Sequence, residues 1–73
     1  MFLDTGEELI NTSLVTKIIK LKKDDKFCLV FISNDKELST IVFNTEESRD
    51  NLYTKFANVF GNNSITRIYK ENL

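Results

Sequence analysis

Phe27-Cys28-Leu29-Val30-Phe31-Ile32-Ser33 constrains this chain more than any other stretch, because six of its seven residues are apolar. Most of them are β-branched or aromatic, which suits a pleated and buried surface, so the run reads as a central strand. Side chains alternate across a strand, placing Phe27, Leu29 and Phe31 on one face and Cys28, Val30 and Ile32 on the other. Both faces therefore need cover, and the remainder of the chain is read for what supplies it.

On its N-terminal side lies Lys17-Ile18-Ile19-Lys20-Leu21-Lys22, a strand with Ile19 and Leu21 on one face and Ile18, Lys20 and Lys22 on the other. Lys23-Asp24-Asp25-Lys26 separates the two with short polar residues that favour a tight reversal even without glycine. Asn34-Asp35-Lys36 closes the central strand in the same way, and Glu37 to Phe43 returns as a third, with Ile41 and Phe43 opposed to Leu38 and Val42. The result is an antiparallel meander. Upstream, Asp4-Thr5-Gly6-Glu7 predicts a turn between the short apolar start and Glu8-Leu9-Ile10-Asn11, and Asn11-Thr12-Ser13 predicts a bend or short helical turn.

Asn44-Thr45-Glu46-Glu47 carries the marks of a helix start: Asn44 or Thr45 as cap, Asn44 with Glu47 approximating a capping box, and two glutamates where the helix dipole favours negative charge. The helix is predicted to run to about Phe60 and to turn Leu52, Phe56, Val59 and Phe60 inward. Gly61 is its expected stop, and Ile65 to Tyr69 reads as a last, edge strand. The fold class is thus α+β: an antiparallel β-meander sheet of four to five strands, one long helix packed on one face and a short C-terminal strand, in a single domain over residues 1–73. A meander followed by a capped helix resembles, in pattern, several small bacterial β-meander modules, FlbD-like flagellar-operon domains among them. The tail strand departs from that pattern, and no residue role follows from it.

At this length folding buries only about 60% of the surface the unfolded chain exposes, so small domains commonly add disulfides, metals or a partner chain. The sequence holds one cysteine, Cys28, and no histidine, which rules out an internal disulfide and the common zinc ligand sets. No cofactor and no metal is expected. The absence of histidine also removes Ser/His/Asp and Cys/His catalysis, and the only glycines, Gly6 and Gly61, cannot build a phosphate loop. Glu7-Glu8, Asp24-Asp25 and Glu46-Glu47 are adjacent pairs whose side chains point apart on regular elements, and turn or helix-start roles account for them. A fold this small leaves little room for a pocket of ~300 Å³ or more. The reading is of a non-enzyme.

Ten basic and eleven acidic residues nearly balance, which argues against a surface tuned throughout for nucleic acid or anionic lipid. The lysines are nevertheless clustered. Lys20, Lys22, Lys23 and Lys26 form the one charged group with a functional reading: a patch that meets phosphates or a partner, with Phe27 or Phe31 near enough to stack on a base. No stretch has the ~20 apolar residues of a membrane helix and the N-terminus lacks a signal-peptide pattern, so no membrane association and a cytoplasmic location are expected.

The expected function is a small interaction or regulatory module, an accessory protein of bacterial or phage type that binds another protein, with single-stranded nucleic-acid binding through Lys17 to Lys26 as the alternative. Self-association as a homodimer is expected alongside it. One helix covers one sheet face; the other is closed either by the N-terminal hairpin or by the same face of a second chain. The second is favoured because Met1 to Leu3 and Leu9 to Ile10 offer few apolar residues. Cys28, Val30, Ile32, Leu38 and Val42 are the candidate interface.

Overall fold

In the computed structural model, which describes residues 2–58, the central run forms β4 (Lys26–Ser33) between β3 (Lys17–Lys23) and β5 (Lys36–Phe43). Both pairings are antiparallel. Two-residue turns join them, with Asp24 and Asp25 at φ 51° and 64° and Asn34 and Asp35 at φ 50° and 69°. Paired positive φ values define the hairpin turn whose twist matches that of the strands, and Asp and Asn tolerate it better than other side chains. Thr16 ties the sheet's end together: its N–H donates to the Ile32 carbonyl at 2.8 Å, and its hydroxyl accepts from the Asn34 N–H at 3.1 Å. A register shift in β5 opposite Phe31 and Ile32 leaves Leu38 without a cross-strand partner.

Among the described residues the sheet has three strands, not four or five. Phe2–Asp4 (β1) and Leu9–Asn11 (β2) pair with each other as a separate two-stranded sheet. The reason is local. Asn11 ends β2 by accepting from the Ser13 N–H at 3.1 Å, which caps a 3-10 turn over Thr12–Leu14 and bends the chain before it can continue alongside the meander. The predicted C-terminal strand at Ile65 to Tyr69 lies outside the described residues, as do Val59 and Phe60 and the predicted end of the helix.

The helix α1 spans Glu46–Phe56 and is capped by Thr45, whose hydroxyl accepts from the Ser48 N–H at 3.2 Å. The Asn44–Glu47 box is not used. Asn44 instead accepts from the Lys26 ammonium at 2.7 Å, which holds the start of the helix to the start of β4.

Leu29 and Phe31 are fully buried, and Ile10 and Phe56 complete the core with Leu3, Val15, Ile18, Ile41, Phe43 and Leu52 around it. Phe31 and Phe56 meet edge to face, with ring centroids 5.4 Å apart. All of these strand residues lie on one face of the three-stranded sheet, here called the inner face. The helix and the N-terminal pair therefore cover the same face, side by side. The alternative in which the N-terminal hairpin closes the opposite face is thereby excluded: Leu3 and Ile10, its inward residues, are spent on the Leu29 and Phe31 side.

Candidate functional site

Cross-strand partners share a face, so the register fixes what the opposite, outer face presents. Leu21, Cys28 and Val42 form one row across the three strands, and Ile19, Val30 and Thr40 form the next. The third row is Lys17, Ile32 and Glu37, with Leu38 beside it at the register shift. The structure thus gathers all five predicted interface residues, Cys28, Val30, Ile32, Leu38 and Val42, on one surface and adds Ile19 and Leu21 to them. Those two were legible as a strand face. Missing was the register that sets them beside Cys28 and Val30.

The rows are unevenly exposed. Cys28 and Val30 are buried among their neighbours, while Ile19, Leu21 and Leu38 keep between 37% and 40% of their surface and Val42 keeps 58%. The residues from outside the sheet that pack on the core, Leu3, Ile10, Val15, Leu52 and Phe56, all do so on the inner face. No described element lies over the outer one. Single exposed apolar residues are ordinary on a protein surface, whereas Ile19, Leu21, Leu38 and Val42 are grouped on one face across three strands.

The four predicted lysines are not brought into one patch. Lys20 and Lys22 stand on the inner face beside α1, whereas Lys23 and Lys26 face each other across the Asp24-Asp25 turn. Lys20 pairs with Asp50 at 3.6 Å and lies 4.5 Å from the centre of the Tyr53 ring. Lys22 lies 5.4 Å from the Phe27 ring and Lys26 is held by Asn44. Of the two aromatics expected to meet a base, Phe31 is fully buried.

Arg49, not singled out in the sequence, sits at the centre of this group. Its side chain is only 9% exposed; it donates to the Leu21 carbonyl at 3.2 Å and to Asp50 at 3.1 Å, and its guanidinium lies 5.3 Å from the Phe27 ring. Its position three residues before Leu52 and seven before Phe56 puts it on the helix's inward stripe, the one signal that finds it. With its donors taken by a backbone carbonyl, Asp50 and Glu46, it acts as a strut between α1 and the β3 edge.

Comparison with protein-family models, with curated proteins and with solved structures gives no match. The chemistry of the site therefore rests on its own residues. Two open concavities exceed the pocket size expected of so small a chain, about 400 Å³ and about 350 Å³. Each forms where a covering element meets the margin of the sheet. The larger is lined by Val15, Ile18, Tyr53 and Phe56, with Lys17 as its only charged residue. The smaller holds Glu7 and Glu8 beside β5, where Glu8 accepts a hydrogen bond from the Ser39 hydroxyl and the Thr5 hydroxyl accepts from the Glu8 N–H at 3.1 Å. Among the described residues no three Asp, Glu or Cys side chains are grouped to hold a metal ion, and no helix is long and apolar enough to cross a membrane.

Proposed function

We propose that this chain is a small, non-enzymatic interaction module that works by presenting the outer face of its sheet to another protein surface, a second copy of itself included. One observation carries the reading: Ile19, Leu21, Leu38 and Val42 remain exposed around Cys28 and Val30 on a face that no described element covers. Burial of such a face is favourable at about 25 cal/mol per Å², and a domain of this size gains more from shared burial than a larger one does. A regulatory or accessory role follows from the same economy, since a module with one apolar face acts by occupying a surface on something larger.

The non-enzymatic part rests on chemistry. Histidine is absent from the sequence, and in the acidic concavity both the Glu8 carboxylate and the Thr5 hydroxyl are already engaged in structural hydrogen bonds. A nucleophile without a base has little to offer a reaction.

The test is Val30→Glu. It places a charge at the centre of the outer face, away from the Leu29 and Phe31 core, so a chain that associates through this face becomes monomeric while keeping its circular dichroism spectrum and cooperative melt. A variant that remains associated, or a wild-type chain that is monomeric by light scattering at tens of micromolar and binds no partner through this face, contradicts the reading.

A further inference from the structure

Resting on that reading, we infer that the occupant of the outer face is a second copy of this chain, packed with its β4 parallel to the first and with Lys17 of each chain opposite Glu37 of the other. The inference comes from the row Lys17, Ile32, Glu37, in which one cation and one anion stand on the two edge strands with an apolar residue between them. Both charged side chains are exposed, and neither has an ion-pair partner among the described residues. The row is therefore complementary to itself under a two-fold rotation about the direction of β4.

Two closed arrangements keep the strands aligned when a sheet packs face to face on its own copy. With the two-fold axis along β4, each row lies over the same row of the partner and β3 lies over β5. Lys17 then meets Glu37 twice, Ile32 meets Ile32, and Leu21 lies over Val42. With the axis across the strands, the rows are exchanged end for end, so that Lys17 comes over Lys23 and Ile32 over Lys26. That arrangement sets like charges together and buries a lysine against an isoleucine, which is costly. The first arrangement pairs Lys17 with Glu37 twice at one end and apolar side chains at the centre, as isologous interfaces do; its one like-charge contact is Lys26 over Lys26 at the turn end, where each ammonium is already held by Asn44 of its own chain. It also keeps the strands of the two sheets nearly aligned about 10 Å apart, the usual geometry of a two-sheet sandwich.

A charge-exchange set tests this by sedimentation equilibrium of the full chain. Lys17→Glu and Glu37→Lys each place two like-charge pairs in the dimer, and each is expected to raise the dissociation constant about tenfold or more. The double variant Lys17→Glu/Glu37→Lys restores the pairs with opposite polarity and is expected to return to within about threefold of wild type. Lys36→Glu, which makes the same change in net charge outside the row, is expected to leave association unchanged. A double variant as weak as the singles, or a Lys36→Glu effect equal to that of Lys17→Glu, overturns the parallel arrangement but leaves the outer face as interface. A wild-type chain that does not associate overturns the arrangement, and with no other partner on this face it overturns the wider reading as well.

Discussion

Asp24, Asp25, Asn34 and Asp35 hold the meander's two reversals in the left-handed region of backbone space, where most side chains cost about 1–2 kcal/mol. Asp35→Val adds a β-branched side chain at φ 69° and is expected to destabilise the fold by about 1–2 kcal/mol, read as a lowered urea midpoint. Asp35→Gly at the same position is expected to be neutral or stabilising. Arg49 makes the opposite lesson. Its guanidinium joins the Leu21 carbonyl, Asp50 and the face of Phe27, so Arg49→Ala is expected to cost about 1–3 kcal/mol, and Arg49→Lys to recover only part of that because a lysine has no planar fork. The turns were legible in the sequence because Asp and Asn carry the conformation in their own chemistry. Arg49 was not, because an arginine on a helix is ordinarily a solvated charge, and only the contact with β3 turns it into a core-facing strut.

At the scale of elements, α1 has few apolar residues within its described span and depends on its ends. Thr45→Ala removes the acceptor for the Ser48 N–H and is expected to cost about 1 kcal/mol in chemical denaturation. Phe56→Ala removes the ring that meets Phe31 and is expected to cost about 3–5 kcal/mol, enough to leave a domain of this size largely unfolded at room temperature. The three meander strands and the start of the helix could be read from alternation and capping. The N-terminal pair was harder. Leu9-Ile10-Asn11 alternates like the other strands, and nothing in three residues says whether they extend a sheet or lie over it; the Asn11 cap and the 3-10 turn decide that, through hydrogen bonds to Ser13 that compete with continued strand pairing.

For the molecule as a whole, the distribution of charged and apolar surface sets what each partner would meet. The four lysines of a phosphate reading are divided between two faces, and three of them, Lys20, Lys22 and Lys26, are engaged with Asp50, Tyr53, Phe27 and Asn44, so fluorescence polarisation with single-stranded DNA or RNA at low salt is expected to show no binding at micromolar protein. The apolar surface, by contrast, is continuous. Among the described residues the helix and the N-terminal pair both cover the inner face, the apolar alternation of β4 asks for cover on both faces, and we propose another protein surface for the outer one. Outside this face, Phe2, Leu9 and Leu14 are the other strongly exposed apolar residues among those described, and they offer the competing interface. Isotope-filtered NMR on an equal mixture of labelled and unlabelled chains separates the two directly. The account predicts intermolecular contacts between the methyl groups of Ile19, Leu21, Val30 and Val42; contacts confined to Phe2, Leu9 and Leu14, with none on the outer face, would contradict it.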